Sequence, residues 1–225
     1  WHLAGLSGTL MEARRELHDV YGLKLHRMPL RQASQRRDAP TRCFTDADTR
    51  WAAVAQTAAE LRCRHRPVLI GTDTVADSER LSWHLQQHGV PHTVLNARHD
   101  REEAEIVAKA GRVGQVTVAT RMAGRGTDIA LDAAALAAGG LHVIHCQRNE
   151  SRRMDRQLLG RAARQGQPGS TETWICSSNL SEHDPLGAPM LGSPVTDFVP
   201  WMTSWWRHVT MRLSQRIEEQ RQSAM

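Results

Sequence analysis

Lysine is scarce in this chain of 225 residues: only Lys24 and Lys109 among its 29 basic residues are lysines, and the others are arginines. A P-loop, G-x-x-x-x-G-K-[ST], needs a lysine that reaches the phosphates of a nucleotide. Leu25 follows the first lysine and Ala110 the second, so the sequence contains no P-loop. An apolar run ending in Asp-Glu, which would hold magnesium and orient water, is also missing. Chemistry on a nucleotide would therefore need parts that this sequence lacks.

Long apolar runs are missing as well. No stretch of about 18 apolar residues occurs, so we expect no transmembrane helix. The sequence starts WHLA, without a methionine or a basic segment followed by a long apolar stretch. We therefore expect no signal peptide, and a start on Trp1 suggests a chain cut from something longer.

The cysteines are few and unpaired in sequence. None of the four forms a C-x-x-C pair, which predicts neither a zinc cluster nor a disulfide framework and indicates a reducing cytosol. The formal net charge of +5 suits an anionic partner such as lipid, nucleic acid or phosphate. A genomic bias toward arginine codons explains the same charge without any partner.

From Thr45 onward, helical and strand patterns alternate, which predicts a parallel α/β sheet. The predicted helices are 47–64, 75–89, 101–111 and 149–166. The predicted strands are 67–72, 92–97, 114–120, 139–146 and 171–178. The strands are apolar throughout, as expected of a sheet buried on both faces. Because ligands of such sheets bind outside the carboxyl ends of the strands, the loops at 121–128 and 146–150 are candidate binding segments.

The segments on either side of this core are less regular. Residues 1–10 look like the end of a strand and a loop, and a short helix is expected from Met11 to about Val20. Arginine, glutamine and proline predict a linker over 28–43. A loop follows Ser178, and then one helix over about 200–222 whose apolar face would dock on a neighbouring domain or helix. That face consists of Trp201, Trp205, Val209, Leu213 and Ile217.

Two segments have the composition of a binding site. In TRMAGRGTDIAL, residues 120–131, glycines let a ligand approach the backbone, and Asp128 can accept hydrogen bonds from a ribose or a magnesium-bound water. The alternative is a tight turn in which Asp128 caps a helix. In GRAARQG, residues 160–166, Arg161 and Arg164 would share one helical face and suit phosphate oxygens, as in an arginine finger. The alternative is a solvated helix end.

In this order the two segments resemble the second RecA-like lobe of superfamily 2 helicases, whose first lobe carries the P-loop. The resemblance narrows to the SecA preprotein translocase ATPase family through MAGRGTDI and ESRR-x-D-x-QL-x-GR-x-x-RQG-x-PGS. It extends over roughly residues 3–176, with one gap in the linker. It implies a RecA-like parallel sheet flanked by helices, followed by a C-terminal helix.

The resemblance also implies a nucleotide site between two lobes, of which this chain supplies the second. The cofactor would be ATP with Mg²⁺, whose ligands come mainly from the first lobe. The motif SGT at 7–9 resembles the end of the first lobe, where helicases couple the two lobes. The implied site residues are Arg125, Gly126, Asp128 and Gln165 as nucleotide-binding residues, and Arg161 and Arg164 as catalytic residues.

The implied organisation is the end of a first lobe over 1–10, a linker over 11–44, the second lobe over 45–178, and a loop with the start of a helical scaffold over 179–225. The implied partners are a first nucleotide-binding lobe, a secretory preprotein, a SecY-type membrane channel and an anionic lipid surface. The protein would act in the cytoplasm, peripherally on the inner face of the cell membrane. It would hydrolyse ATP only together with a P-loop-bearing lobe.

The sequence also departs from the family. It has HCQRNE at 145–150 where the family tends to have GTERHE, and it lacks the C-terminal Cys/His zinc cluster. Two alternatives stay open. One is an RNA-helicase-like motor lobe, with salt-dependent binding to single strands, although the usual His-Arg-Ile-Gly-Arg string is replaced by QLLGRAARQG. The other is a catalytically inactive binding or regulatory module.

Overall fold

The computed structural model describes residues 4–95, 103–120, 128–146 and 152–176, which all belong to the compact unit Trp1–Pro189. The strands are β1 (Gln35–Asp38), β2 (Arg42–Phe44), β3 (Val68–Thr72), β4 (Thr93–Leu95), β5 (Val116–Thr120), β6 (Leu141–His145) and β7 (Pro168–Cys176). The α-helices are α1 (Arg14–Tyr21), α2 (Ala47–Cys63), α3 (Val75–Gln87), α4 (Glu103–Lys109), α5 (Ala133–Ala137) and α6 (Arg152–Leu159). Short 3₁₀ helices cover Met11–Ala13 and Arg164–Gly166.

All the strands join one parallel sheet in the order β1-β7-β6-β3-β5-β4. The outer edge of β7 pairs first with β1 and then, beyond Pro40, with β2. The predicted α/β fold with a parallel sheet flanked by helices is confirmed. None of the helices in the described part of the chain is long and apolar enough to cross a bilayer.

Alternate residues of the central strands face two separate hydrophobic clusters. Val68 and Ile70 of β3 lie in a cluster with Trp51 of α2 and Leu81 of α3. Leu69 lies on the opposite face, in a second cluster to which α4 and the chain around α6 contribute. Because both faces are covered, the central strands β3, β5 and β6 are buried along their whole length and are rich in apolar residues. The second cluster, which includes Ile129 and Ala162, is the one that supports the candidate site.

Side-chain caps set the starts of the helices that the sequence predicted. The Asp46 carboxylate accepts a hydrogen bond from the Thr49 amide at 2.7 Å at the start of α2. The Thr74 hydroxyl accepts one from the Asp77 amide at 3.0 Å at the start of α3. Such caps satisfy amides that have no partner within the helix, which is why these boundaries could be read from sequence.

Some expectations about the secondary structure were wrong. The segment 28–43 is not an irregular linker throughout, because β1 and part of β2 add to the sheet there despite their exposed, polar residues. Residues 4–10 form the loop that was expected there, and residues 1–3, where the strand would end, lie outside the described residues. The sequence pattern of α3 predicts Trp83 on its inner face with Ser78, Leu81 and Leu85, but Trp83 is 57% exposed and only the other three are buried. The predicted C-terminal helix lies outside the described residues.

Candidate functional site

The segment 160–166, which we call the arginine turn, does not continue the α-helix as predicted but forms a turn that ends in a short 3₁₀ segment. Helix α6 ends at Leu159, and the Gly160 amide makes its last helical hydrogen bond to the Arg156 carbonyl at 2.8 Å. Ala163 and Gln165 adopt left-handed conformations, with φ of +57° and +53°. Non-glycine residues in this region cost free energy and concentrate at functional sites. The two arginines therefore do not share a helical face, and the turn aims them individually.

Close packing of α6 on the sheet fixes where the arginine turn begins. A Cβ atom on Gly71 of β3 would lie 2.1 Å from Leu158 Cδ2, so the Leu158 side chain packs directly on the glycine backbone and any larger residue requires it to shift. Ala162 is then buried in the second cluster, at 4% exposure. The turn is thus anchored by apolar contacts just before Arg164.

Asp128 is held by the same cluster from a different segment. Its neighbour Ile129 is buried there, and the Ile129 amide donates to Asp128 Oδ1 at 3.0 Å. The alternative in which Asp128 caps a helix was wrong, because α5 is capped by Asp132, which accepts a hydrogen bond from the Ala135 amide at 2.7 Å. The Asp128 carboxylate is therefore not engaged in a helix cap.

The two anchors bring Asp128 and Arg164 together. Arg164 Nη1 donates to Asp128 Oδ1 at 2.5 Å, and Arg164 Nε donates to the Gly160 carbonyl at 3.1 Å. The side chains keep 38% and 54% exposure for the arginine and the aspartate. The sequence placed these residues in two separate motifs, and the structure joins the motifs through one ion pair.

This pair can exchange partners at little cost. An ion pair between solvent-accessible side chains stabilises a protein by about 0–1 kcal/mol. Phosphate oxygens form charge-assisted hydrogen bonds with guanidinium groups, and Arg164 Nη2 carries no hydrogen bond to any described residue. Asp128, once released, can accept hydrogen bonds from hydroxyl groups. The pair therefore offers a cation for phosphate and an acceptor for a sugar on adjacent atoms.

The other predicted site residues divide into two groups. Arg161 lies in the arginine turn and is half-buried, and Gln165 is exposed in the same turn. Arg125 and Gly126 lie outside the described residues, as do most of the predicted binding loops at 121–128 and 146–150. Within the described ranges, no group of three or more His, Cys, Asp or Glu side chains is arranged to hold a metal ion.

Several contacts around the arginine turn had no signal in the sequence. Gln35 Nε2 of β1 donates to the Gly166 carbonyl at 2.6 Å, across 131 residues. Arg153 Nε of α6 donates to Thr9 Oγ1 at 3.3 Å, which joins the SGT motif to the helix that leads into the turn. Both are polar contacts between distant segments, which local patterns cannot reveal.

The unusual HCQRNE segment begins inside the sheet. His145 is buried at the end of β6, and its Nε2 lies 3.4 Å from Asp155 Oδ1 of α6. The next carbonyl, of Cys146, accepts a hydrogen bond from the buried Arg50 Nη1 at 2.5 Å. Burial raises the pKa of the Cys146 thiol to about 12, although the charge of Arg50 lowers it. His145 thus fills a core position against α6, and Cys146 fills one in the first hydrophobic cluster on the other face of the sheet. A thiol with this pKa is inert at neutral pH.

A protein-family model matches the part of the chain that contains these site residues. The model of the SecA P-loop domain matches residues 33–136 and 132–180, which is more than half of the chain and includes Asp128 and the whole arginine turn. The chain belongs to the SecA family. The RecA-like fold predicted for this family agrees with the parallel sheet and its two helical faces.

Individual SecA proteins are similar over different shares of the chain. The SecA 2 protein translocase subunit of Nitrosospira multiformis is 52% identical over 77% of this chain and 26% of its own length. That of Bordetella avium is 42% identical over 98% of this chain and 34% of its own length. The solved structure of the E. coli DEAD-box protein SrmB bound to regulator of ribonuclease activity A is 19% identical, covers 62% of this chain and 78% of that chain, and superimposes with a TM-score of 0.49.

The chain spans about a quarter to a third of the length of the curated SecA relatives named above.

Proposed function

We propose that this chain is the second nucleotide-binding lobe of a SecA-type motor ATPase. The observation that carries the proposal is the contact between Asp128 and Arg164, which unites the two motifs that resemble the nucleotide-contacting segments of this family. Bound ATP with Mg²⁺ would supply the phosphoryl group that is transferred to water. In this proposal, 45–178 is the second lobe, 1–10 the end of the first lobe, 11–44 the connection between them and 179–225 the start of a helical scaffold.

Each site residue has a role that suits its chemistry. Arg164 and Arg161 bind the phosphates, because a guanidinium stays charged at any physiological pH and matches phosphate oxygens with a planar fork. Asp128 accepts hydrogen bonds from the ribose, with Arg125 and Gly126 beside it. Gln165, exposed next to Arg164, contacts the nucleotide from the same turn.

The arginine turn supports this assignment through its conformation. Left-handed Ala163 and Gln165 on either side of Arg164 hold its backbone in a shape that a regular helix cannot provide. A charge held rigidly before the reaction begins stabilises developing negative charge without reorganisation. The turn is therefore suited to stabilising charge on a transferring phosphoryl group.

In the assembled protein, closure of the two lobes around the nucleotide drives a secretory preprotein through a SecY-type channel. The motor works from the cytoplasm, on the inner face of the cell membrane and close to anionic lipid. The names of the SecA relatives, which are protein translocase subunits, support a role in translocation. The preprotein, the channel and the lipid surface are what the resemblance to the family implies. The first lobe, with its P-loop and most of the magnesium ligands, is an obligatory partner of this chain.

A chimaera tests the proposal. Residues 4–176 replace the matching segment of the Nitrosospira multiformis SecA 2, and ATP hydrolysis is measured with and without preprotein and membranes that contain the channel. We expect hydrolysis that preprotein and membranes stimulate. A chimaera that folds and binds ATP but does not hydrolyse it would contradict the proposal.

A further inference from the structure

Gly166, the last residue and therefore the exit of the arginine turn, is contacted by a segment that has no role in the proposed site. Gln35, the first residue of β1, donates from Nε2 to the Gly166 carbonyl at 2.6 Å. Gln32 approaches the same residue, since a Cβ atom on Gly166 would lie 2.1 Å from Gln32 Oε1. Two glutamines of one segment thus contact the last residue of a turn that lies more than 130 positions further along the chain.

The pairing of β1 with β7 fixes the position of Gln35 relative to Gly166. β1 pairs in parallel with β7, and Gln35 is in register with Pro168, two residues after Gly166. The backbone of Gln35 is therefore held beside the strand into which the turn runs, so its side chain needs no long reach. Gly166 itself has a φ of +76°, a conformation that favours glycine.

In the described part of the chain, the bond from Arg164 Nη1 to Asp128 joins the turn to another segment, and two further hydrogen bonds are local. Arg164 Nε bonds to Gly160 and the Gln167 amide bonds to the Arg164 carbonyl at 2.9 Å, both within the turn and its immediate neighbour. The bond from Gln35 joins the exit to a separate strand. Without that bond, less tertiary structure holds Ala163 and Gln165 in their unfavourable left-handed conformations.

We infer that Gln35 is a positioning residue, which holds the Gly166 carbonyl so that the arginine turn presents Arg164 in a fixed direction. The inference rests on the proposed function for its effect on catalysis. It also has a consequence for motion, because β1 lies in the segment proposed to connect the two lobes. A displacement of that segment changes the support of the turn and therefore the placement of its arginines.

The test compares side chains that differ in their ability to donate. Gln35→Met keeps the length but has no donor, and Gln35→Glu places an acceptor against the carbonyl. Gln35→Lys keeps an N–H donor, and Arg37→Gln, in the same exposed strand, is the matched control. Hydrogen–deuterium exchange of amides 160–167 is measured in the 225-residue chain.

We expect Gln35→Met and Gln35→Glu to exchange these amides on the order of fivefold faster than the wild type, the factor that corresponds to a typical net hydrogen bond. Gln35→Lys and Arg37→Gln should match the wild type. Equal exchange in all variants would overturn the inference. Faster exchange that extends equally to β3 and β6 would overturn it as well, because it would show a general loss of stability.

The effect of Gln35 on catalysis is measured in the chimaera described above. Gln35→Met should lower kcat about tenfold with a smaller change in KM, since the turn acts on the transferring phosphate, and Gln35→Lys should restore kcat. An unchanged kcat despite faster exchange of the turn would contradict the positioning role. If the unmodified chimaera does not hydrolyse ATP, the proposed function fails, and the exchange experiment still decides whether Gln35 holds the turn.

Discussion

Arg164 Nη1 lies 2.5 Å from Asp128 Oδ1, so two residues that are 36 positions apart form one ion pair. Each is anchored by a buried neighbour in the same hydrophobic cluster, Ile129 on one side and Ala162 on the other. The packing of the core therefore sets the contact, and the partial exposure of both side chains keeps it exchangeable. In the proposed function, a nucleotide that binds here would replace an existing partner of Arg164.

Removal of Arg164 should stop turnover without preventing nucleotide binding. In the chimaera, we expect Arg164→Ala to lower stimulated ATP hydrolysis roughly 10³-fold or more, as for other arginines that stabilise phosphoryl transfer. Affinity for ATP, measured by equilibrium titration, should change much less. Arg164→Lys should not restore turnover, because a point charge does not replace the planar fork.

The control for that experiment is Arg112→Ala, which removes an exposed arginine that follows α4. It changes the net charge equally and should leave hydrolysis at the wild-type level. Wild-type turnover in Arg164→Ala would exclude the role of this side chain.

The strength of the ion pair itself can be measured. We expect the double-mutant cycle of Asp128→Asn and Arg164→Gln to give a coupling free energy of about 1 kcal/mol or less, because both side chains are solvent-accessible. Urea denaturation of the four proteins provides the values. Coupling of several kcal/mol would mean a desolvated pair, which a nucleotide would not displace easily.

The buried His142 should make the fold sensitive to acid. Burial, followed by the charges of Arg66 and Arg42, lowers its pKa from 6.5 to about 4. Its Nδ1 lies 2.6 Å from the Ser170 hydroxyl, which also accepts a hydrogen bond from Arg66 Nη2 at 2.7 Å. Ser170 is thus free to donate its proton to a neutral imidazole, and the folded chain favours that form.

Because the folded pKa lies below the unfolded one, the contribution of His142 is complete above pH 6.5 and is lost as the pH falls toward 4. The total loss is roughly 3 kcal/mol, at 1.36 kcal/mol for each pKa unit. Denaturation curves at pH 7, 5.5 and 4.5 should show this dependence in the wild type and in the exposed control His88→Gln. His142→Gln should flatten it, and an equal slope in His142→Gln would assign the effect to other groups.

The thiols should react in two classes. Cys43 and Cys63 are exposed, whereas Cys146 and Cys176 are buried. Burial raises the pKa of both buried thiols, to about 12 for Cys146, so little thiolate forms at neutral pH. We expect an aromatic disulfide reagent at pH 8 to modify Cys43 and Cys63 rapidly and the other two only after unfolding. Rapid reaction of Cys146 in the folded chain would contradict this packing.

The sequence predicts this fold well where local signals are strong. The capped helices α2 and α3 and the apolar strands β3, β5 and β6 follow from pattern alone, because burial on both faces selects apolar residues. Strand β1 is polar and exposed, and β2 has only three residues, so their pairing with β7 leaves no recognisable pattern. The arginine turn was mispredicted because Ala163 and Gln165 are good helix formers, which favours a helix in sequence, whereas both adopt left-handed conformations in the structure.

The candidate site was predictable as a set of residues but not as an arrangement. Asp128 and the two arginines stand in motifs that resemble those of the SecA family. The ion pair joins residues 36 positions apart, and the hydrogen bond from Gln35 to Gly166 joins residues 131 positions apart. No local spacing in the sequence encodes such tertiary contacts. A structure is therefore needed to show that the arginine turn has a support outside its own motif.

The close approach of α6 to β3 provides a final test, which joins core packing to the site. A Cβ atom at Gly71 would lie 2.1 Å from Leu158 Cδ2, so Gly71→Ala requires the Leu158 side chain to move, and we expect the end of α6 to repack with it. We expect a loss of about 1–3 kcal/mol in the free energy of unfolding, measured with urea, and faster hydrogen exchange in 160–167.

In a Leu158→Ala background the same substitution should cost less than 1 kcal/mol, since the clash is then relieved. Gly5→Ala, where no atom lies within 4 Å of the added methyl group, is the control. An equal cost in both backgrounds would show that Leu158 is not what requires glycine at position 71, and that the packing of α6 does not set the start of the arginine turn in this way.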